Sequence, residues 1–492
     1  MFLKRGNNPV GSRRIFSFRI LAILSGLMLL FILELALRIA GVSPSPDNQD
    51  PYISFEDDPV LFVKDDSGKY YQTAENRIGF FRKQRFPVRK SQNAFRIFVL
   101  GGSTVQGRPY SVETAFPVWL KINLEASGPG KIFEVINCGG VSYASYRLTL
   151  IMREVIEYDP DLVILYTGHN EFLEERSYGH IRDASPLVRI LMKLRITVLI
   201  RKLLSIRGED ASHENDAFIL PAEVDARLDY KKGLESYEHD PELKRNIIRH
   251  FEYNVKQMIL LAKESGVPLI LVNPVSNLKD CPPFKSEFRK SMTPGEKSRA
   301  ISLLEEAGAM DWDRGVEKLA LLEKAAPLNP GHAGLFFSMG KAYERLGRYP
   351  DAKKRFILAK ELDNCPLRIL EPMHDVLTGL SEEYDVFFVD ARELFEEKTP
   401  DRIPGAEMLL DHVHPDIEGH QLIADALYEK LTEQKYVRAA DDWQKVRDRL
   451  RRSHLESLDA VYFHRGIQRM RHLEQWSRGR IPANAGTKQD ER

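Results

Sequence analysis

The residue types that could do covalent chemistry occur in two segments far apart in the sequence. Ser103 follows an apolar run and two glycines, Gly101 and Gly102, at a predicted strand-to-helix turn, where a serine hydroxyl stands exposed above a sheet. Asp411 and His414 lie three residues apart in the second segment. A carboxylate at that spacing can accept the Nδ1–H of the imidazole, which leaves Nε2 to take a proton from a serine. The two segments predict nucleophilic catalysis by a Ser-His-Asp triad.

Two further loops carry groups that can stabilise a negatively charged oxygen. Residues 137–143 read Asn-Cys-Gly-Gly-Val-Ser-Tyr, and their backbone can aim an N–H group at a developing oxyanion. Either Gly140 or Ser142 can supply that N–H, and Gly140 is favoured because glycine permits more backbone geometries. Asn170 adds a side-chain amide, which donates hydrogen bonds without having to ionise. Together with the Ser103 N–H, these groups predict an oxyanion hole.

The histidine segment also allows a second interpretation, a metal site. His412 and His414 stand two residues apart, with Asp411 and Asp416 beside them, and these side-chain types bind metal ions. A third convergent histidine or cysteine motif does not occur in the sequence, so the triad is the favoured interpretation. Triad chemistry needs neither a metal nor an organic cofactor, and we expect none. The 71 basic and 71 acidic residues give a formal net charge of zero, which argues against a nucleic-acid partner.

These loops need a scaffold that brings distant stretches of chain together. Five short apolar runs alternate with helical stretches, and they lie at residues 95–100, 133–137, 162–166, 269–272 and 386–389. Near-continuous apolar strands joined by helical crossovers indicate a buried parallel sheet, so the predicted fold class is α/β. In such sheets, ligands bind at the carboxyl ends of the strands. The first three runs end in the loops that contain Ser103, Ser142 and Asn170, as this rule requires.

In this order, the four blocks resemble the SGNH (GDSL-type) hydrolase family. The resemblance extends over residues 95–290 and 369–430, about half of the chain. It implies a three-layer α/β/α hydrolase fold with Ser103 as the nucleophile. It also implies that Asp411 and His414 complete the triad.

The match to the family pattern has three departures. The first block reads Gly-Gly-Ser-Thr instead of Gly-Asp-Ser-Leu, which keeps the serine and loses an acid outside the triad. Residues 168–171 read Gly-His-Asn-Glu where the family has Gly-x-Asn-Asp, so Asn170 matches and Glu171 departs conservatively. Ser142 stands at a position that is usually glycine, and a backbone N–H is available from either residue type.

The N-terminal segment predicts one membrane-spanning helix. Residues 20–41 are mostly apolar, and as a helix residues 20–37 are about 27 Å long, close to the hydrocarbon thickness of a bilayer. Basic residues precede this run and acidic residues follow it. Residues 1–19 are therefore expected in the cytoplasm, with the catalytic domain on the extracytoplasmic (periplasmic or extracellular) side. A cleaved signal peptide and a buried core helix are the alternatives.

A helical insertion is predicted at residues 291–368, between the fourth and fifth apolar runs. Residues 333–364 resemble a tetratricopeptide repeat, with Gly340 where the paired helices touch. The other packing positions of the repeat are taken by Tyr343, Ala352, Phe356 and Ala359. The insertion either packs as a helical hairpin on the catalytic sheet or serves as a lid or a binding surface for a protein partner. Cys281 and Cys365 flank it, and a disulfide between them is left open.

The remaining segments complete the predicted domain organisation. Residues 42–92 form a linker and N-terminal extension, residues 93–290 the first part of the hydrolase domain, and residues 369–435 its second part. Residues 436–492 form a helical tail with a disordered end. Within the first part, residues 186–207 carry six basic residues among apolar ones and no acid. They either lie on an anionic membrane or over the active site, or pack as helices with a solvated basic face.

Taken together, the sequence predicts a membrane-anchored serine hydrolase that cleaves a small acyl ester, carried by an envelope glycan or lipid. An O-acyltransferase is one rival, in which a sugar hydroxyl replaces water on the same acyl-enzyme. A non-catalytic envelope scaffold that binds a partner through the insertion is the other. The joint presence of Ser103, Asn170, Asp411 and His414 argues against a scaffold, which needs none of them.

Overall fold

The computed structural model describes residues 52–55, 60–128, 130–178 and 218–477, together with Asp50 and scattered positions between 25 and 36. Outside the described residues lie the predicted cytoplasmic segment, most of the predicted span at 20–41, the basic stretch at 186–207 and the end of the tail. Within the described part of the chain, no helix is long and apolar enough to cross a membrane. The chain divides into two compact units, residues 1–56 with 176–220 and residues 57–175 with 221–492.

The strands account for the core of the second unit and for one small pairing in the first. In chain order they are β1 (Ile53–Phe55), β2 (Phe62–Lys64), β3 (Tyr70–Thr73), β4 (Arg85–Pro87), β5 (Ala94–Gly101), β6 (Ile132–Gly139), β7 (Leu162–Tyr166), β8 (Phe218–Leu220), β9 (Leu269–Asn273) and β10 (Phe387–Asp390). In the first unit, β1 pairs with β8 in parallel.

The second unit is built on a five-stranded parallel sheet with the order β10-β9-β7-β5-β6. The parallel α/β fold predicted from the apolar runs is thereby confirmed, with strand bounds that differ by at most two residues. In chain order the sheet reads 2-1-3-4-5, so the chain reverses direction of travel between β5 and β7. The loops that follow these two strands begin with Gly102 and Thr167, and they lead to Ser103 and Asn170.

Helices lie on both faces of this sheet. In chain order the helices of the second unit are α1 (Ser103–Gln106), α2 (Phe116–Ala126), α3 (Ser145–Ile156), α4 (Pro241–Glu264), α5 (Pro294–Ala309), α6 (Gly315–Ala325), α7 (Ala333–Arg345), α8 (Tyr349–Glu361), α9 (Glu371–Tyr384), α10 (Ala391–Lys398), α11 (Ile417–Glu433), α12 (Trp443–Glu456) and α13 (Ala460–Ser477). Helices α2 and α11 pack together on one side, whereas α3, α4 and α9 pack together on the other.

Side chains at alternate positions of β5 belong to these two sides, as the period of a strand requires. Ile97 lies in one apolar cluster with Trp119 of α2 and Leu427 of α11. Its neighbour Phe98 instead contacts Phe86, at a ring-centroid distance of 5.4 Å. Both faces of the strand are therefore buried, which is why its sequence is a continuous apolar run.

A small antiparallel sheet, β2-β3-β4, was not anticipated in the predicted linker and extension. Its rings Phe62 and Phe86 meet edge-to-face at 5.0 Å and cover Phe98 of the central sheet. The strands are three or four residues long, and β2 and β4 carry a charged residue each, so the periodicity of the sequence gives little sign of them. Residues 75–81, between β3 and β4, connect this sheet to the functional site described below.

The insertion between β9 and α9 is helical, and α7 and α8 pack against each other. At Gly340 the helices approach so closely that an added Cβ would lie 2.6 Å from the Phe356 ring. The residues assigned to packing positions are buried. The tetratricopeptide interpretation and the insertion's bounds stay predictions. Cys281 and Cys365 are free thiols, so the disulfide left open is not formed; the buried Cys365 side chain instead contacts Tyr237.

The C-terminal tail forms α12 and α13. Trp443 of α12 packs on Tyr428 with ring centroids 4.4 Å apart, and Arg451 pairs with Asp425 of α11. In α13, Arg469 donates to the carbonyl of Pro109, in the segment that follows α1. The predicted charged helical tail therefore packs against the rest of the second unit up to Ser477, the last described residue.

Candidate active site

Ser103 begins the four-residue helix α1, directly after β5. The turn between them needs small residues. A Cβ at Gly101 would lie 2.3 Å from the Tyr166 carbonyl oxygen, and α1 ends at Gly107 in a left-handed conformation with φ of 92°. A side chain at either position would push the strand or the helix away. The glycines thus hold Ser103 at the carboxyl end of the central strand.

The structure brings Ser103, His414 and Asp411 into one hydrogen-bonded chain. The Ser103 hydroxyl lies 2.7 Å from His414 Nε2, although the two residues are 311 positions apart in sequence. His414 Nδ1 lies 2.6 Å from Asp411 Oδ2. An Nδ1–H donor to the carboxylate leaves the lone pair of Nε2 directed at the serine hydroxyl. In this arrangement the imidazole can remove the proton of Ser103.

The loop that carries the acid and the base, residues 411–414, is called the acid–base loop. Asp411 Oδ1 accepts the backbone N–H groups of Val413 and His414 at 2.8 and 2.9 Å. Burial acts to raise the pKa of Asp411, but the facing His414, the nearby His412 and these hydrogen bonds outweigh it and lower the pKa. Asp411 is therefore an anion, as the orientation of His414 requires.

In the loop at residues 140–143, called the oxyanion loop, the N–H groups of the two candidate backbone donors differ in their hydrogen bonding. The Gly140 N–H donates to the carbonyl oxygen of Gly101 at 2.9 Å, so it is already used within the backbone. The Ser142 N–H has no hydrogen-bond partner among the residues that the structure describes. Ser142 also has a φ of 64°, a left-handed conformation that is uncommon for serine. The preference for Gly140 does not fit this geometry, and Ser142 is the better candidate.

Asn170, in the loop after β7, lies beside the nucleophile turn. Its Nδ2 donates to the Tyr143 carbonyl at 2.9 Å, and the second hydrogen of the same nitrogen is available for another acceptor. A Cβ at Gly102 would lie 2.6 Å from this nitrogen. Any larger residue at position 102 would therefore push the Asn170 amide away from the turn that carries Ser103.

The structural role of Glu171 was not predicted from the sequence. Its carboxylate accepts the Ser145 N–H at 2.7 Å and the Ser145 hydroxyl at 2.9 Å, at the first residue of α3. A carboxylate at a helix N-terminus satisfies backbone donors and complements the helix dipole. Glu171 thus ties the loop of Asn170 to the helix that follows the oxyanion loop. In the sequence, the only indication of this role was the acidic residue at the last position of the block at residues 168–171.

The neighbouring histidines are buried and uncharged. Burial lowers the pKa of His412 to about 4, against the opposing effect of Asp411, and its ring meets Phe284 edge-to-face. Burial also lowers the pKa of His169 well below its usual value, and His169 Nδ1 accepts the N–H of Ile369 at 3.2 Å. In the described parts of the chain, no group of three or more metal-ligating side chains converges. The metal interpretation therefore gains no support from the geometry.

Comparisons with known proteins find structural likeness alone. No family model matches the chain, and no curated protein matches it. An acetylxylan esterase from Geobacillus stearothermophilus is 14% identical, covers 69% of this chain and 94% of its own, and has a TM-score of 0.32. A lipase/acylhydrolase from Enterococcus faecalis is 12% identical, with coverages of 70% and 99% and a TM-score of 0.32.

A GDSL-like lipase from Bacteroides thetaiotaomicron is similar to the same degree. It is 12% identical, covers 69% of this chain and 88% of its own, and has a TM-score of 0.29. Likeness at these TM-scores is too weak to assign a function. The function therefore rests on the side chains of this chain itself.

Proposed function

We propose that this protein is a serine ester hydrolase of the SGNH type. One observation carries the proposal, the continuous hydrogen-bonded chain from the Ser103 hydroxyl through His414 to Asp411, with contacts of 2.7 and 2.6 Å. A nucleophile, a base and an orienting anion in this order are the parts that acyl transfer needs. Their position at the carboxyl end of β5, beside the strand-order reversal, is where α/β sheets bind ligands.

In the first half of the reaction, His414 Nε2 removes the proton of Ser103 as the serine oxygen attacks the acyl carbonyl of the ester. The negative charge passes to the carbonyl oxygen. The N–H groups of Ser103 and Ser142 and the Asn170 amide donate hydrogen bonds to it. When the tetrahedral intermediate collapses, the bond to the alcohol oxygen breaks, and His414 returns its proton to the departing alcohol. The acyl group is then bound to Ser103 as an ester.

In the second half, water takes the place of the alcohol. His414 removes a proton from the water, whose oxygen attacks the carbonyl carbon of the acyl-enzyme. The same three donors stabilise the oxyanion that forms. Collapse of the second intermediate releases the carboxylic acid and returns the proton from His414 to Ser103. Asp411 stays ionised and stabilises the imidazolium in both halves. All of these proton transfers use side chains of the chain, so no cofactor enters the proposal.

The proposed substrate is a small O-acyl ester on an envelope glycan or lipid. The support for this class is the predicted membrane helix at residues 20–41, with bases before it and acids after it. That charge pattern favours a catalytic unit on the extracytoplasmic side, tethered near envelope material. An anchored enzyme meets substrates that are themselves fixed at the membrane or in the surrounding polymer.

Labelling with a fluorophosphonate and hydrolysis of p-nitrophenyl acetate test the proposal together. The wild-type chain should be labelled once, at Ser103, and should hydrolyse the ester. Ser103→Ala should lose both properties, whereas Ser67→Ala, which removes an exposed serine of the β2-β3 turn, should keep both. Clean folded protein that neither labels nor turns over would refute the proposal. Transfer of the acetyl group to an added polyol, in place of release as acetate, would favour the acyltransferase.

A further inference from the structure

Residues 77–81, called the strap, lie against the oxyanion loop although they are some 60 positions away in sequence. The Phe80 carbonyl accepts the Val141 N–H at 2.9 Å and the Gln106 side-chain amide of α1 at 2.7 Å. The Phe81 ring meets the Tyr143 ring edge-to-face at 4.7 Å. The strap therefore touches both the nucleophile helix and the loop that offers the Ser142 N–H.

Arg77, at the start of the strap, is almost completely buried, with 2% of its surface exposed. Its Nη2 donates to the Tyr143 hydroxyl at 2.5 Å, and its Nη1 donates to Glu223 at 2.7 Å. A buried guanidinium is costly unless its charge is paired, and the carboxylate of Glu223 provides the pairing. The other terminal nitrogen of Arg77, Nη2, donates to the neutral Tyr143 phenol. This hydrogen bond is not needed to neutralise the charge of the guanidinium.

Tyr143 is the point at which this contact reaches the oxyanion hole. Its carbonyl accepts the Asn170 amide, and its N–H donates to the Gly140 carbonyl at 3.2 Å. Its ring lies on the α-carbon of Gly140, where a Cβ would be 2.7 Å away. Burial raises the pKa of Tyr143 to about 12, so the side chain stays a neutral phenol over the working range. Tyr143 thus contacts Gly140, two residues before Ser142, as well as the side-chain donor Asn170.

We propose that Arg77 and Tyr143 are positioning residues for the oxyanion hole. Arg77 fixes the Tyr143 hydroxyl, and Tyr143 in turn fixes the Ser142 N–H and the Asn170 amide, without touching substrate. Donors that are already in place cost no reorganisation when the oxyanion forms, and a displacement of about 1 Å at such a site can cost about a hundredfold in rate. The inference rests on the proposed function and assigns a positioning role to Arg77, a residue of the N-terminal extension.

The sharpest test is Tyr143→Phe, which keeps the ring and removes the hydroxyl that Arg77 holds. The kcat for p-nitrophenyl acetate, per active site titrated with a fluorophosphonate, should fall about tenfold while KM changes by less than about twofold. The midpoint of the pH profile should not move, because His414 and Asp411 are untouched. Arg77→Met should lower kcat further, and Arg77→Lys should restore part of the loss because it returns a donor.

Tyr158→Phe is the matched control. Tyr158 is a tyrosine whose hydroxyl bonds to the carboxylate of Glu154 in α3 and whose backbone carbonyl accepts a hydrogen bond from Arg96 of β5. Removing that hydroxyl should lower thermal stability and leave kcat per titrated site unchanged. If Tyr143→Phe and Arg77→Met behave like Tyr158→Phe, Arg77 and Tyr143 serve folding alone and the inference is overturned. A wild-type protein without turnover would instead refute the proposed function, so the two failures are distinguishable.

Discussion

The two loops that meet at Ser103 differ in how far their own residues hold them in place. The acid–base loop is held largely by its own residues, because Asp411 accepts hydrogen bonds from the backbone of Val413 and His414 and from the His414 imidazole. From outside the loop, the Asn277 N–H also binds the His412 carbonyl at 2.9 Å. The oxyanion loop has one internal hydrogen bond, from the Tyr143 N–H to the Gly140 carbonyl, and its other contacts come from outside. Its N–H at position 140 is bound by β5, its N–H at 141 by the strap, and its Tyr143 by the strap and by the loop after β7.

The geometry of the acid–base loop therefore depends mostly on one short segment, whereas that of the oxyanion loop depends on the whole fold. Hydrogen bonds between residues two or three positions apart form whenever the local turn forms. Contacts from strap, strand and loop exist only after the chain has folded, and each must be correct for the N–H of Ser142 to be aimed. Substitutions in the acid–base loop should therefore act through charge and tautomer, and those around the oxyanion loop through position.

The largest effect is expected from Asp411→Asn. The carboxamide keeps the size of the side chain but presents an N–H to His414 Nδ1, which favours the tautomer that cannot accept the Ser103 proton. The kcat for p-nitrophenyl acetate should fall about 10⁴-fold, with little change in the folded structure. Steady-state kinetics and circular dichroism of the purified variant check both parts.

Asp416→Asn is the matched control, since Asp416 lies five residues on and caps α11 through the Gly419 N–H. Asparagine caps helices about as well as aspartate, so activity should stay within a few-fold of the wild type. A metal site built from both carboxylates and the two histidines would make the two substitutions similarly harmful. Equal losses would therefore contradict the triad.

A smaller effect is expected from Asn170→Ala, which removes a donor and leaves the triad intact. By comparison with other oxyanion-hole donors, kcat should fall about 10²- to 10³-fold, while KM changes little because the donor acts mainly in the transition state. Fluorophosphonate should still label Ser103, more slowly. Asn123→Ala, at a buried carboxamide that binds Asp425, should lose stability without losing kcat per titrated site. A loss below about fivefold for Asn170→Ala would remove Asn170 from the hole.

The same contrast explains how much of the site the sequence could predict. Asp411 and His414 are three residues apart, and hydrogen bonds within their own turn help to bring the two side chains together, so their spacing predicted this contact. The choice between Gly140 and Ser142 needed the position of Gly101, a residue of another strand, whose carbonyl occupies the Gly140 N–H. Sequence favoured the glycine for its backbone freedom, yet the left-handed residue in the loop is the serine, because the surrounding contacts impose that conformation.

The fold shows the same division. Strands β5, β7 and β9 are buried on both faces, so their composition alone marked them and the parallel sheet followed. The sheet β2-β3-β4 has three- and four-residue strands with exposed charges, and its stability comes from ring contacts with β5. Nothing in the sequence indicated the role of Arg77, because its partners Tyr143 and Glu223 lie 66 and 146 positions away.

The smallest effect is expected from Ser142→Gly, which sharpens the assignment of the backbone donor. If the N–H is the working group, the loss of the hydroxyl should leave kcat within about twofold of the wild type. Glycine relieves the left-handed strain of about 1 kcal/mol but adds backbone entropy to the unfolded chain, so the free energy of unfolding should change by less than about 1 kcal/mol. Gly140→Ala, whose Cβ would meet the rings of Tyr143 and Phe81, should lower kcat about tenfold instead. A loss above tenfold in Ser142→Gly would show that the hydroxyl takes part and that the loop offers more than its backbone.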